Sequence, residues 1–162
     1  QHAVEEATRV VHGFPALYQA AWLKRFGAKL GLADPVPGDR ALVERLLDIM
    51  AAQRADFTRV FRGLADGSAQ AEFADPAAFA AWRSDWDARR PDLDLAARAN
   101  PVRIPRNHRI QQVIDAGVGG DFQPFHRLNR ALATPFDADP EWDDLCLSPK
   151  AGEEVRVTFC GT

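Results

Sequence analysis

Apolar residues recur every three or four positions along most of this chain, which is the spacing of helices that bury one face. A first helix is predicted over residues 3–31, with Gly13 and Pro15 expected to break or kink it. Its apolar positions at helical spacing are Val4, Ala7, Val11, Phe14, Leu17 and Ala21. A second set at every fourth position, which we interpret as a packing face, is Tyr18, Trp22, Phe26 and Leu30.

Aspartates mark the starts of several further helices. Asp39 and Asp56 each precede an apolar run, and Asp75 precedes a proline, a residue favoured at the first helical position. We therefore predict that all three aspartates are N-caps. Trp82 and Trp86 lie one turn apart in the helix that follows Asp75. A stacking platform for a base is one interpretation of this pair, and a core ridge is the favoured one.

Two more helices are predicted late in the chain, one from Asn107 through Ala116 and one capped by Asp121. Their inward positions are expected to be Ile110, Val113, Ile114, Phe122, Phe125, Leu128 and Leu132. The segments predicted as loops include 33–39, 65–73 and 134–144. The fold class is mainly α, a multi-helix domain with little or no β-sheet. We expect a helical domain over 1–145 and an extended tail over 146–162.

The composition fits a globular chain of 162 residues, with 46% hydrophobic and 27% charged residues. A net charge of −3 argues against a basic surface for nucleic acid. No apolar run approaches the roughly 20 residues that a membrane span needs, and no secretion signal is visible. We expect a cytoplasmic bacterial protein that binds neither nucleic acid nor membrane. Because the chain begins at Gln1 within a predicted helix, we also expect a piece of a longer protein.

Polar side chains crowd the start of the helix predicted from Asn107. Arg103, Arg106, Asn107 and His108 lie within six residues. A helix N-terminus favours anions, so Arg103, Arg106 and Arg109 could hold a phosphate or a carboxylate there. The favoured alternative is that these arginines pair with acidic residues of a neighbouring element. His108 has no sequence neighbour that would orient it as a general base, so a hydrogen bond at the helix start is its favoured role.

Common catalytic and cofactor motifs do not occur in the sequence. The glycines at 117–120 follow a helix and not a strand, and the four histidines lack metal-ligand spacing. There is no HExxH, paired CxxC or GxSxG motif. We therefore predict no catalytic residue, cofactor site or metal site in this chain. Cys160, third from the end, is a reachable thiol and a redox candidate.

Five stretches of the chain occur together in one protein family. They are YQAAWLKRFGAKLGL (18–32), ADFTRVFRGL (55–64), NPVRIPRNHRIQQVIDAGVGGDFQPFHRL (100–128), ATPFD (133–137) and the terminal CGT. In this order they resemble the C-terminal third of the selenoprotein O (SelO, YdiU) family. The resemblance covers nearly the whole chain.

The resemblance implies an enzyme whose nucleotide chemistry lies outside this chain. Members of the family resemble protein kinases in fold and transfer AMP from ATP to protein hydroxyls, with a divalent metal such as Mg²⁺ or Mn²⁺. Their glycine-rich loop, ATP-binding lysine and metal-binding asparagine and aspartate match nothing in this sequence. ATP and metal are therefore implied for the full-length protein alone. The helical C-terminal part is implied to pack on the kinase-like part.

The resemblance also gives Cys160 a role. Its position holds selenocysteine or cysteine in the family, and a redox-sensitive disulfide with a cysteine of the kinase-like part is implied. A bridge between Cys146 and Cys160 is the alternative.

Our main hypothesis is that the chain is the C-terminal helical domain of a SelO-like protein adenylyltransferase and is inactive alone. Its partners would be the N-terminal kinase-like region and, for the full-length enzyme, protein substrates. Arg103, Arg106, Asn107 and His108 would contact that region or an anion that it holds. A hypothesis of a different class is a non-catalytic docking or regulatory module, with redox sensing through Cys160.

Overall fold

Helices account for most of the described chain. The computed structural model describes residues 2–155, apart from the side chain of Ala3. In chain order its elements are α1 His2–Lys29, α2 Asp39–Gln53, α3 Phe57–Asp66, a first 3₁₀ helix Ser68–Glu72, α4 Pro76–Ala88, α5 Leu93–Ala99, α6 Asn107–Val118, α7 Gln123–Ala133 and a second 3₁₀ helix Pro140–Cys146. The predicted mainly α fold is confirmed, because residues 2–155 contain no strand.

The chain divides into two compact units, Gln1–Ala99 and Asn100–Thr162. The expected helical domain over 1–145 and extended tail over 146–162 stay a prediction. Residues 156–162 of that tail lie outside the described residues. None of the described helices is both long enough and apolar enough to span a membrane.

Two tryptophans organise the core of the first unit. Trp82 and Trp86 are fully buried on α4, and their rings stack with centroids 5.9 Å apart. Trp82 Nε1 donates a hydrogen bond to the carbonyl of Leu42 and Trp86 Nε1 to that of Leu30, both at 2.8 Å. Because a buried indole N–H needs an acceptor, the two bonds fix α4 against α2 and the end of α1. The prediction of a core ridge is confirmed.

Two of the predicted N-caps are confirmed. Asp56 Oδ1 accepts a hydrogen bond from the Arg59 N–H at 3.0 Å, at the start of α3. Asp75 Oδ1 accepts one from the Ala77 N–H at 2.9 Å, at the start of α4. Each side chain thus satisfies an N–H group of the first turn that has no acceptor within its helix.

The predicted caps at Asp39 and Asp121 are wrong. Phe122 is the N-cap residue of α7, and no side chain caps that helix. Gly38 is the N-cap of α2, and Asp39 is the first residue of the helix itself. The Asp39 carboxylate is buried, accepts a hydrogen bond from the Val36 N–H at 2.8 Å and pairs with Arg89 at 2.7 Å. Arg89 lies 50 positions away in sequence, so local pattern does not reveal this pairing.

The expected break near Pro15 is wrong, since α1 runs without interruption from His2 to Lys29, and the alternative of a kink there stays a prediction. Proline inside a helix removes one hydrogen bond, here the one to the carbonyl of Val11. This part of α1 is exposed on all sides, so water can hydrate that carbonyl. Gly13, the other expected break, is likewise helical and exposed.

The predicted packing face of α1 holds only toward the end of the helix. Leu30 is buried, and Trp22 and Phe26 are partly buried against the core of the first unit. Tyr18, the fourth predicted member, is exposed. The helix therefore packs on its own unit through its C-terminal half alone.

Both 3₁₀ helices occur in segments that were predicted as loops. The second one begins where Asp139 Oδ1 accepts a hydrogen bond from the Glu141 N–H at 3.0 Å. It buries Trp142 and Leu145 in the core of the second unit. A 3₁₀ helix of five or seven residues spans only about two turns, which is too short for the spacing of apolar residues to predict it.

The core of the second unit is small. Its buried members are Leu128, Ala131, Trp142 and Leu145, and its partly buried members are Ile110, Val113 and Leu132. Ile114, Phe122 and Phe125 were also expected to point inward, but about half or more of each is exposed. The set of apolar positions predicted to point inward is thus larger than the set that this unit buries.

Candidate functional site

Arg103 lies in the loop before α6 and is only 1% exposed. Its Nε donates to the carbonyl of Ala131 at 3.1 Å, and its Nη2 donates to those of Thr134 at 2.9 Å and Asp137 at 2.8 Å. These carbonyls belong to the last turn of α7 and the residues just after it. A helix C-terminus carries partial negative charge and unsatisfied carbonyls, so a guanidinium is well matched to it.

The main chain of the same loop bonds to the same turn. The N–H groups of Val102 and Arg103 both donate to the carbonyl of Pro135, at 2.8 and 3.2 Å. Arg103 therefore ties the loop before α6 to the end of α7. Sequence pattern does not reveal this role, because all three acceptors of the guanidinium are main-chain carbonyls.

Arg106, Asn107 and His108 form the start of α6. Arg106 is the N-cap residue and is buried, Asn107 is exposed, and His108 is 4% exposed. No side chain caps this helix. Within the described part of the chain, His108 Nε2 is buried and has no hydrogen-bond partner.

The pKa of His108 lies below its ordinary value of 6.5. Burial is the main cause, and the positive charges of Arg109 and Arg106 act in the same direction, whereas Glu153 opposes them. The imidazole is therefore neutral at pH 7.

Three of the four predicted site residues line one cavity of about 330 Å³. Its described lining is Ile104, Pro105, Arg106, Asn107, His108, Pro149, Glu153, Glu154 and Val155. Arg103 is not among these residues. Glu153 accepts a hydrogen bond from the Lys150 N–H and Glu154 one from the Gly152 N–H, both at 2.9 Å. A docking or anion-contact role for the four residues stays a prediction.

A second cavity, of about 420 Å³, lies between α6, α7 and the second 3₁₀ helix. Arg109, Arg127 and Arg130 line it, together with Asp121 and Asp144. The sequence analysis did not find this site. The available signal was the spacing of three between Arg127 and Arg130, which places both on one face of α7.

Arg127 forms the best-defined ion pair of this second cavity. Its two terminal nitrogens donate to the two carboxylate oxygens of Asp144 at 3.0 and 2.7 Å, and Nη2 also donates to the carbonyl of Glu141 at 2.9 Å. The guanidinium lies over the Trp142 ring, 5.3 Å from its centroid. The hydrogen bonds from Arg127 hold the pKa of Asp144 below its ordinary value of 3.8.

The described residues do not offer a ready set of ligands for a metal ion. No three histidine, cysteine, aspartate or glutamate side chains cluster suitably anywhere between residues 2 and 155. The predicted lack of a cofactor site in this chain is not tested by this finding.

Cys146 lies within the described residues and Cys160 lies outside them. Cys146 is a partly buried free thiol whose Sγ lies 3.6 Å from the carbonyl of Trp142. Burial raises the pKa of the Cys146 thiol above its ordinary value of 9.0, against the opposing positive charges of Arg103 and Arg106.

Proteins named protein nucleotidyltransferase YdiU are similar to this chain over its whole length. The protein from a Ruegeria species is 51% identical over 166 residues, which cover 100% of this chain and 35% of that protein. The protein from Ruegeria pomeroyi is 49% identical, over 98% of this chain and 34% of that protein. The protein from Roseobacter denitrificans is 46% identical, over 99% of this chain and 34% of that protein.

This chain thus spans about a third of the length of these relatives. The match falls in their C-terminal part. No protein-family model matches the chain.

Proposed function

Because this chain belongs to the YdiU (selenoprotein O) family, we propose that it is the C-terminal helical domain of a protein adenylyltransferase. The whole protein would transfer AMP from ATP to serine, threonine or tyrosine hydroxyls of other proteins. The observation that carries the proposal is the 51% identity over the full chain with a relative named protein nucleotidyltransferase. ATP and Mg²⁺ or Mn²⁺ would bind in the part of the protein outside this chain.

The role of this chain would be to support that part of the protein. An exposed face of α1 favours this role. Val4, Ala7, Val11, Phe14 and Tyr18 repeat every three or four residues and so share one side of the helix, which we call the α1 stripe. Its four larger members are between 53% and 69% exposed.

An apolar stripe of this length is unusual on a surface that contacts only water. Large exposed apolar patches generally mark contacts with other protein surfaces. Helices of soluble proteins are stable mainly because an apolar face packs against another surface, and among the described residues the first half of α1 contributes nothing to the core of its unit. The partner that we propose for the α1 stripe is the polypeptide outside this chain, which makes up about two thirds of the length of the relatives.

The cavity at the start of α6 is the second proposed contact with the rest of the protein. Asn107 is its exposed predicted member, and the buried Nε2 of His108 is a group that an incoming donor or acceptor would satisfy. Arg103 would act indirectly, by holding the loop that presents Arg106 and Asn107. All four residues would then belong to the proposed docking region, three as its lining and Arg103 as the support of the loop.

The proposed activity is tested with the whole protein, in an assay of AMP incorporation. Purified full-length protein is incubated with Mg²⁺ and ATP labelled on the α-phosphate, and labelled protein is measured. We expect transfer of the label by the full-length protein and none by this chain alone. Transfer from ATP labelled on the γ-phosphate, without transfer of the α-label, would identify a kinase and contradict the proposal.

A redox role for Cys160 is proposed from the family resemblance. The state of Cys146 favours a partner for Cys160 outside this chain. A thiol with a raised pKa is mostly protonated at pH 7, and thiolate is the species that exchanges disulfides. The test compares AMP transfer by the full-length protein and its Cys160→Ser and Cys146→Ser variants before and after mild oxidation. Oxidation should alter transfer by the wild type and by Cys146→Ser but not by Cys160→Ser.

A further inference from the structure

The second cavity, between α6, α7 and the second 3₁₀ helix, has an excess of positive charge. We call it the arginine groove and define it by Arg109, Arg127, Arg130, Leu128 and Leu145. Three guanidinium groups line it, against the carboxylates of Asp121 and Asp144. A cluster of this kind can be a closed network of ion pairs or a site for an anion, and the contacts of each group decide between the two.

Both carboxylates are already engaged within the chain. Asp144 accepts both of its carboxylate hydrogen bonds from Arg127, at 3.0 and 2.7 Å. Asp121 Oδ1 accepts a hydrogen bond from the Gln123 N–H at 2.9 Å, next to the first turn of α7. The ion pair in the groove is therefore complete with one arginine, and the other two arginines are left without a carboxylate partner in the described chain.

Arg109 is held in place by neutral groups, and the carboxylates of Asp144 and Glu153 act on it through charge without a hydrogen bond to it among the described residues. Its Nη1 donates to the Gln112 side chain at 3.0 Å and its Nη2 to the carbonyl of Asp144 at 2.5 Å. Its Nε is buried and has no acceptor among residues 2–155. A buried donor without an acceptor carries a free-energy cost that an incoming oxygen atom would remove.

Arg130 makes no hydrogen bond or ion pair within the described part of the chain. Its side chain is exposed on α7, one turn from Arg127. Guanidinium groups bind carboxylates and phosphates through paired N–H donors, and no residue between 2 and 155 accepts a hydrogen bond from Arg130.

Beyond its charged groups, the lining of the groove is partly apolar, with Gln112 and Gln123 as its neutral polar members. Val113, Pro124, Leu128 and Leu145 contribute to its lining. A volume of about 420 Å³ is of the size that small-molecule sites have. A ligand that satisfied both parts would carry one anionic group for the arginines and a small apolar body for the leucines.

We propose that the arginine groove binds a small organic anion, with its phosphate or carboxylate group between Arg109 and Arg130 and its apolar body against Leu128 and Leu145. This inference is independent of the proposed AMP transfer, because the groove lies within one unit of this chain and needs no metal ion. Arg127 positions the groove through Asp144 and does not neutralise the ligand.

The test is a titration of the full-length protein with phenyl phosphate, followed by calorimetry. Benzoate has a carboxylate in place of the phosphate, and inorganic phosphate lacks the apolar body. Phenol lacks the charge. We expect saturable binding of phenyl phosphate or benzoate, weaker binding of inorganic phosphate and none of phenol, and the tighter of the two aromatic anions identifies the anionic group.

The variants locate the site. Arg130→Ala should weaken binding by about tenfold or more, as expected for loss of a charged hydrogen-bonding group, and Arg130→Lys should restore part of it. Arg98→Ala, which removes an exposed arginine at the end of α5, is the matched control and should leave binding unchanged. Because Arg130 is exposed and has no described partner, these variants should unfold at the wild-type temperature.

The proposal is overturned if the wild type binds neither aromatic anion, or if Arg130→Ala binds as tightly as the wild type. Binding of phenol as tight as that of phenyl phosphate would also overturn it, because the arginines would then not recognise the ligand's charge. Equal affinity for inorganic phosphate and phenyl phosphate would contradict the proposed contact between an apolar body and the leucines.

Discussion

The guanidinium of Arg103 donates a hydrogen bond to the carbonyl of Ala131 in the last turn of α7, 28 residues further along the chain. Two more hydrogen bonds from the same group reach Thr134 and Asp137. Three main-chain carbonyls accept hydrogen bonds from Nε and Nη2 of this buried charge, whereas Nη1 has no partner among the described residues. One side chain thus joins the loop before α6 to the end of α7. The second unit has only a small core, so this relationship carries much of its stability.

Replacement of Arg103 by methionine should destabilise the second unit. Methionine keeps the apolar stem but leaves three carbonyls without their charged donor, which should lower the free energy of unfolding by about 3 kcal/mol. Urea unfolding of this chain measures the change, and hydrogen exchange of the α7 amides locates it in the second unit. Arg98→Met is the control and should change the free energy by less than about 0.5 kcal/mol. An Arg103→Met variant as stable as this control would refute the anchoring role.

Acid should weaken the second unit through His108. Because its pKa is lowered in the folded chain, the folded state binds fewer protons than the unfolded state just below pH 6.5. The contribution of neutral His108 to stability is fully present above the pKa of 6.5 in the unfolded state. It is lost as the pH falls toward and through the lower pKa of the folded state. Unfolding measured between pH 7.5 and about pH 4.5 should show this loss, and His108→Gln should reduce it. A pH profile that is identical in the wild type and the variant would contradict the predicted linkage.

The Cys146 thiol should react slowly with alkylating agents. Its pKa is raised by burial, so thiolate forms only at a pH above that of an ordinary cysteine. In a Cys160→Ser variant of this chain, iodoacetamide should modify Cys146 more slowly than free cysteine at pH 7.5. The difference should disappear in urea. By the same linkage, the contribution of the protonated Cys146 thiol to stability is complete below its pKa of 9.0 in the unfolded state. It is lost as the pH rises through the higher pKa of the folded state. Equal rates in the folded chain and in urea would show that the thiol is not protected.

A charge in the α1 stripe should disrupt the whole protein but not this chain. Val11→Asp places a carboxylate on the apolar face, and Ala16→Asp, on the opposite side of the helix, is the matched control. In this chain both positions are exposed, so neither substitution should change the free energy of unfolding by more than about 0.5 kcal/mol. In the full-length protein, Val11→Asp should lower the melting temperature and speed proteolysis near α1, whereas Ala16→Asp should not. Equal behaviour of the two full-length variants would mean that the stripe is not covered.

Features set by neighbouring residues were predictable from the sequence. The helical period follows from local spacing, and Asp56 and Asp75 act as caps because their acceptors bond to N–H groups two or three residues away. The tryptophan ridge on α4 follows from the same local period.

Features set by distant residues were not predictable in this way. Asp39 pairs with Arg89 across 50 positions, and Arg103 bonds to carbonyls that have no sequence signature. The arginine groove needs three elements to converge. The break expected at Pro15 is absent for a different reason, since the carbonyl that the proline leaves without a donor lies in an exposed part of α1 where water can hydrate it.

The most direct test of the central claim is a calorimetric titration of ATP with Mg²⁺ into two samples, this chain and the full-length protein. The claim places nucleotide and metal binding outside this chain. We expect the full-length protein to bind ATP in a Mg²⁺-dependent manner and this chain to show no Mg²⁺-dependent binding at micromolar ATP. Micromolar, Mg²⁺-dependent binding of ATP by this chain alone would contradict it.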